Sequence, residues 1–330
     1  MNTNTHRAVK PVAVILDGYT QNPGDLNWDY LQSVTELTVY DRTPPDKIVE
    51  RAKGAQIVIT NKTPLTKETI DALPELKFVP LLSTGYNVVD SEYLAEKGIP
   101  VSNIPSYSTA AVAQTVIAYI LSFSNNTAAY TASVNRGEWE RCSDFCYLDY
   151  PLFELGGKTL GIVGFGKIGA AVAKTAQALG MSISAFSPSG KKTGFEDVSF
   201  TPLDILLEAS DFVTLHCPLN AQTEGMVNSA FIGKMKDGAY LINTSRGAVV
   251  DERAVADALT SGKLAGFAAD VLSSEPPTAD NPLIGNEKCL FTPHIAWAAK
   301  ETRERLLSVF NANVKAYLEG KPINVVNGCG

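Results

Sequence analysis

The chain contains three histidines, the one side chain whose unperturbed protonation changes near neutral pH. His6 lies in a polar tail. His216 follows the β-rich run Asp211 to Leu215 and precedes Cys217-Pro218, and it reads as a structural histidine at a strand end. His294, in Thr292-Pro293-His294-Ile295-Ala296-Trp297, closes the last β-rich run of the second half. In open α/β sheets the carboxyl ends of the strands line the ligand crevice, so His294 is the candidate general acid/base. Two further run ends carry charge: Arg246 after Leu241-Ile242-Asn243-Thr244-Ser245, and Asp270 with Glu275 after Gly266-Phe267-Ala268-Ala269. Hydride transfer to a 2-keto acid needs a cation for the carboxylate and carbonyl, a proton donor for the new hydroxyl, and an anion to orient that donor. Arg246, His294 and Glu275 are of these three types. Singly, each is an ordinary loop charge; what raises them to a candidate site is the loop that precedes them.

That loop is Gly164-Phe165-Gly166-Lys167-Ile168-Gly169. It follows the β-rich run Leu160 to Val163 and opens a helical stretch from Ala170 to Leu179, the context that a dinucleotide fingerprint requires. Gly164 permits the tight turn, Gly166 lets backbone approach a pyrophosphate, Gly169 allows close helix packing, and the helix N-terminus stabilises the anion. The ribose-reading position, at the end of the next run, is Ser187. A carboxylate there would accept from both ribose hydroxyls and repel a 2′-phosphate. Ser187, with Lys191 and Lys192 beyond it, offers a hydroxyl and two cations instead, so acceptance of NADPH is expected alongside NADH.

The elements that must position these groups form two series. From Pro11 to Asn103, short apolar runs (PVAVILD, LTVYD, AQIVITN, FVPLLS, IPVSN) alternate with helical stretches, separated by Asp17-Gly18, Pro44-Pro45 and Gly98-Ile99-Pro100. Such alternation implies βα units on a parallel sheet. Ser108 to Ser122 has Val112, Val116, Tyr119 and Ile120 at helical spacing and reads as a long helix. A second series opens at Lys158 and continues through SISAF, DFVTLHC, GAYLIN, LAGFAAD and KCLFTPH, giving six strand candidates. Ala298 to Leu318 is an amphipathic helix expected to return to the first domain. The expected architecture is α/β with two Rossmann-like domains and parallel sheets. A discontinuous, flavodoxin-like substrate domain takes 1–104 and 300–330, and a dinucleotide-binding domain takes 105–299.

Composition narrows the function. With 28 Lys and Arg against 35 Asp and Glu, the net charge is −7 and no basic run could follow a phosphate backbone, so no nucleic-acid partner is expected. The longest mostly apolar stretch, Ala110 to Leu121, falls well short of the roughly 20 residues of a membrane span. Met1 to Lys10 has no apolar signal region, so a soluble, cytoplasmic protein is expected. Five cysteines make an odd set. The spacing of Cys142 and Cys146, without a neighbouring histidine, favours free thiols over a metal site, and no metal is expected.

The loop Gly164 to Gly169, the run Asn243 to Asp251, Asp270-Val271 with Glu275-Pro276, and Thr292-Pro293-His294 together resemble the D-isomer-specific 2-hydroxyacid dehydrogenase family. The resemblance spans nearly the whole chain. It implies an NAD(P)H-dependent reductase in which Arg246, Glu275 and His294 match the family's Arg, Glu and His. It implies cofactor contacts at Thr109, Lys167, Ile168, Cys217, Thr244, Ser245 and Asp270, beside the three glycines and Ser187. It also places the substrate carboxylate on the loop Ser83 to Asn87, at Thr84, Gly85 and Tyr86, where the missing Cβ of Gly85 suits an anion. Ser187 departs from the Asp of many NAD-using members. Within the family, Ser83 to Asn87, His294 to Trp297 and Asp149 to Leu152 look like the bacterial glycerate dehydrogenase or hydroxypyruvate reductase branch, with Tyr86 and Trp297 closing a small pocket for hydroxypyruvate or glyoxylate. The aromatic-bearing stretch Asn125 to Tyr150 implies a homodimer. Alternatives are phosphoglycerate dehydrogenase or another D-2-hydroxyacid dehydrogenase, a nicotinamide-sensing binding protein on the same fold, and a methyltransferase sharing the glycine-rich loop.

Overall fold

The computed structural model describes residues 10–188, 190 and 194–329; His6, Ser189, Lys191 and Lys192 lie outside the described residues. The chain divides into two compact units, Met1–Ser108 with Ala298–Gly330, and Thr109–Trp297.

The first unit contains β1 (Val12–Ile15), β2 (Glu36–Val39), β3 (Ile57–Ile59), β4 (Val79–Pro80) and β5 (Val101–Ser102). β1 pairs in parallel with β2 and β3, and β4 in parallel with β5. Parallel bridges from Ile57 to Phe78 and from Thr60 to Leu81 join the two groups. The resulting order, β2-β1-β3-β4-β5, is that of a flavodoxin-like sheet. Ala13, Val14 and Ile15 on β1 and Ile57, Val58 and Ile59 on β3 are all buried, as expected of parallel strands covered on both faces. The Asp17 carboxylate, just past β1, accepts from the amides of Asn61, Lys62 and Thr63 at 2.8, 2.6 and 2.7 Å and so ties the ends of β1 and β3 together.

The helix Lys300–Leu318 belongs to this unit and begins two residues later than its sequence pattern predicts. The ring of Tyr317 stacks on Phe78 with centroids 4.1 Å apart. At the other end, Arg303 donates to both carboxylate oxygens of Asp25 at 2.7 Å and to the Gln21 carbonyl at 3.2 Å.

The second unit holds β6 (Thr159–Val163), β7 (Ser182–Phe186), β8 (Val198–Phe200), β9 (Phe212–Leu215), β10 (Ala239–Asn243), β11 (Leu264–Ala269) and β12 (Cys289–Phe291). They form one parallel sheet in the order β12-β11-β10-β9-β6-β7-β8. Counted from β6, this is the dinucleotide-binding order with one strand added, and the direction of winding reverses between β6 and β9. β8 was not among the six strand candidates; its three residues, Val198-Ser199-Phe200, are too short to show a period. The helix Thr109–Asn125 extends three residues beyond the predicted end. Val116, Ile117 and Ile120 on it share a buried cluster with Val172, Ala173 and Ala176 of the helix Lys167–Ala178 and with Leu160 and Ile162 of β6. Each such large aliphatic side chain contributes on the order of 2 kcal/mol by leaving water. Among the described residues, no helix is long and apolar enough to cross a membrane.

Candidate active site

The strand registers of the second unit set the site. Phe186, Val163, Leu215, Asn243, Ala269 and Phe291 are successive partners across the six strands β7, β6, β9, β10, β11 and β12. One residue further along each strand stand Ser187, Gly164, His216, Thr244, Asp270 and Thr292. The candidate groups thus share one edge of the sheet, the carboxyl edge at which α/β folds bind ligands.

The glycine-rich loop follows β6. Gly164 has φ 96°, and a Cβ there would lie 2.7 Å from the Cys217 amide nitrogen and the His216 carbonyl carbon. A Cβ on Gly169 would lie 2.6 Å from the Gly164 carbonyl oxygen. These two glycines are therefore demanded by the protein's own backbone. Gly166 is different: a Cβ there meets nothing within 4 Å. It precedes Lys167 and Ile168, the first residues of the helix Lys167–Ala178, and gives that helix no side-chain cap. On β10's end, the buried Thr244 hydroxyl has no hydrogen-bond partner among the described residues. A cleared approach at Gly166, uncapped helix amides and an orphaned hydroxyl at Thr244 fit a dinucleotide whose pyrophosphate lies over the loop.

Ser187 follows β7, and its carbonyl accepts from Gly190 at 2.9 Å. It lines a hollow with Phe186, Gly190, Glu196, Ser199 and Thr201. Glu196 had no sequence signal, because the strand that follows it was not recognised. Burial pushes the Cys217 thiol above its ordinary range and pushes His216 down to about 4, so both are neutral near pH 7. The His216 Nε2 contacts the Thr214 hydroxyl at 3.1 Å.

The acid/base candidate is met by its expected partner: His294 Nδ1 lies 2.5 Å from Glu275 Oε2. Glu275 Oε1 accepts from the Leu272 amide at 3.3 Å. His294 has φ 55°, an uncommon conformation for a residue with a Cβ. Hydrogen bonds along the loop hold it there. Its amide donates to the Asp270 carbonyl at 2.8 Å, while the Asp270 carboxylate accepts from the next two amides, Ile295 at 2.8 Å and Ala296 at 2.9 Å. The Trp297 indole donates to the His294 carbonyl at 2.9 Å. Burial raises the Asp270 carboxyl above its usual range, against the pull of those bonds.

Arg246 is exposed. Its Nη1 donates to the Ser245 carbonyl at 2.7 Å, and among the described residues it makes no ion pair. Its loop is shaped by the buried Asn243, whose side chain accepts from the Ser245 amide and hydroxyl and donates to the Arg246 carbonyl at 2.9 Å. Thr109 opens the helix Thr109–Asn125.

In the first unit, the loop after β4 carries Thr84, Gly85 and Tyr86. The Thr84 hydroxyl donates to the Ile104 carbonyl at 2.6 Å, the Ser83 hydroxyl to the Gly85 carbonyl at 2.7 Å, and Asn103 to the Thr84 carbonyl at 2.8 Å. Tyr86 is exposed.

Residues 117–296 match the family model for the D-isomer specific 2-hydroxyacid dehydrogenase NAD binding domain. The chain is 47% identical over 318 residues to a hydroxypyruvate reductase of Blautia hydrogenotrophica, covering 95% of this chain and 99% of that protein. It is 40% identical over 294 residues to a glycerate dehydrogenase of Methylorubrum extorquens, covering 88% and 92%. Among solved structures, an NADPH-dependent glyoxylate/hydroxypyruvate reductase from Sinorhizobium meliloti, in complex with NADP and malonate, superposes with a TM-score of 0.82 at 27% identity, covering 96% of this chain and 97% of that one.

Proposed function

Given that the chain belongs to the D-isomer specific 2-hydroxyacid dehydrogenase family, we propose that it is a cytoplasmic, homodimeric reductase that uses NAD(P)H to convert hydroxypyruvate or glyoxylate to D-glycerate or glycolate. The observation that carries this reading is the contact of His294 Nδ1 with Glu275 at 2.5 Å, on the sheet edge that also bears the glycine-rich loop. The names of the relatives point to the same substrates.

When bound, the nicotinamide supplies the hydride. The chain's own residues do the rest. Because Glu275 engages Nδ1, the Nε2–H of His294 is left to protonate the substrate's carbonyl oxygen, and the carboxylate stabilises the imidazolium and fixes the ring plane. Arg246 uses one of its five N–H donors on the Ser245 carbonyl and keeps the others for the substrate carboxylate. Trp297, held by its indole N–H, bounds the space beside His294 and favours small keto acids. Ser187, in place of a carboxylate, leaves room for a 2′-phosphate.

Two further features support the assembly and location. In the stretch before β6, Trp139, Phe145, Leu148 and Leu152 are exposed, with Phe145 at 89%, which favours burial against a second copy. All five cysteines are free thiols, as a reducing compartment favours. Sedimentation as a monomer at micromolar concentration would refute the dimer.

The reading is tested by steady-state oxidation of NADH and NADPH, separately, with hydroxypyruvate, glyoxylate, pyruvate and 3-phosphohydroxypyruvate. Hydroxypyruvate or glyoxylate turnover that collapses about 10²-fold or more in His294→Ala is the expected result. Tight cofactor binding without turnover of any of the four would overturn it in favour of a binding role. A clear preference for NADH would remove the part assigned to Ser187.

A further inference from the structure

Behind the loop that carries His294 runs a chain of hydrogen bonds for which the proposed chemistry has no use. It starts at Tyr119, on the buried face of the helix Thr109–Asn125, where the side chain is 5% exposed. The Tyr119 hydroxyl lies 3.1 Å from the Ala269 carbonyl and also contacts the Thr292 hydroxyl. The Thr292 hydroxyl in turn donates to Asp270 Oδ1. Asp270 is itself 3% exposed, and its two oxygens hold the amides of Ile295 and Ala296, the residues directly after His294.

Counting protons gives this chain a direction. Two hydroxyl protons serve three contacts, and the carbonyl and the carboxylate only accept. The Thr292 proton is committed to Asp270, so the Thr292 oxygen is free to receive the Tyr119 proton. Tyr119 therefore donates toward Thr292, with the Ala269 carbonyl sharing the same proton at longer range, and each donor polarises the next. Burial holds the Tyr119 phenol up at about 12, so it remains a donor throughout the physiological range. The carboxylate at the end of the chain accepts three hydrogen bonds, from the Thr292 hydroxyl and from the amides of Ile295 and Ala296, and is fixed in place despite its burial.

The loop needs such an anchor. His294 has φ 55°, a conformation that a residue with a Cβ keeps only where its surroundings offset the strain. If the Asp270 carboxylate rotated, the amides of Ile295 and Ala296 would lose their acceptor, and the backbone of His294 would relax toward an ordinary conformation. The imidazole would then swing away from Glu275.

We infer that Tyr119 is a positioning residue for His294, acting through Thr292 and Asp270. The inference rests on the reading of His294 as the proton donor. The Thr292 carbonyl also accepts from the His294 amide at 3.0 Å, a main-chain contact that replacing the Thr292 side chain leaves in place, so the side-chain variants test the hydroxyl chain alone.

The test is Tyr119→Phe, which removes one oxygen and keeps the ring. The expected result is a kcat for hydroxypyruvate reduction lowered about 10-fold, with the KM for hydroxypyruvate and the Kd for NADH moving less than about 2-fold, because a small displacement of a reacting group costs rate rather than binding. Thr292→Val should show the same split, and Thr292→Ser, which retains the hydroxyl, should recover most of the lost kcat. If Tyr119→Phe does not fold, the Thr292 pair decides. Wild-type kcat in Tyr119→Phe and Thr292→Val would overturn the inference. So would equal impairment in Thr292→Ser and Thr292→Val, or a loss confined to KM and Kd. His294→Ala separates the two levels: an active His294→Ala sinks the proposed function and this inference together, whereas an inactive His294→Ala beside a normal Tyr119→Phe sinks only the inference.

Discussion

A Cβ on Gly247 would stand 1.9 Å from the carbonyl carbon of Leu272. Gly247 follows Arg246, and Leu272 leads the turn into Glu275, so the loop of the proposed anion-binding residue and the loop of the residue that orients His294 are in backbone contact. No side chain fits between them. Gly247→Ala is expected to force the loops apart and to lower kcat/KM for hydroxypyruvate by about 10²-fold. Steady-state kinetics and circular dichroism check this together: full activity in a folded variant would show that the contact is irrelevant to the site.

Glu275→Gln keeps a hydrogen-bond acceptor beside His294 Nδ1 and removes the charge. Since the imidazolium is then stabilised less, kcat should fall about 10²-fold. The Kd for NADH, measured by fluorescence titration, should stay unchanged, and a matching loss of cofactor affinity would argue that Glu275 serves binding instead.

The glycines of the cofactor loop divide by what surrounds them. Gly164→Ala must place a Cβ against the backbone of His216 and Cys217 at φ 96°, and it should destabilise the fold by about 2 kcal/mol or more. Gly166→Ala meets no protein atom within 4 Å, so the thermal midpoint of the free protein should hold while the Kd for NADH rises at least about 10-fold, roughly 1.4 kcal/mol. Unaltered NADH affinity in Gly166→Ala would contradict the placement of the pyrophosphate.

His216 gives a pH signature. Its imidazole, pushed down to about 4 by burial from an ordinary 6.5, stays neutral in the folded chain while the unfolded chain protonates. Stability from this group is therefore full above pH 6.5 and is lost as pH falls toward 4, by at most about 3 kcal/mol. Urea midpoints at pH 7 and pH 5 should differ more for the wild type than for His216→Gln, and equal differences would exclude the effect.

Much of this site was legible in the sequence because its residues sit where a simple rule puts them. Gly164, His216, Thr244, Asp270 and the His294 loop all follow apolar runs, and the end of a parallel strand is visible as the point where such a run stops. The pairing of His294 with Glu275 followed from chemical need rather than from spacing. What escaped was everything that depends on contact across the chain. Gly247 looks like any loop glycine until Leu272 is brought against it. Tyr119 reads as one more apolar position on a helix, since periodicity records which face is buried and not what a hydroxyl on that face reaches. β8 escaped because three residues carry no period, and Glu196 went with it. Ser187 was found at its strand end, whereas Lys191 and Lys192 lie outside the described residues.

The common row formed by Phe186, Val163, Leu215, Asn243, Ala269 and Phe291 makes strand length a shared gauge. Inserting or deleting a single residue within any of these strands would advance or retract one site residue by about 3.3 Å relative to its neighbours and turn its side chain to the opposite face. The helices and loops on the far edge carry no such constraint. Changes of length in descendants of this sequence should therefore accumulate at the amino edge of the sheet and be absent from the six strands, whatever substrate the carboxyl edge comes to serve.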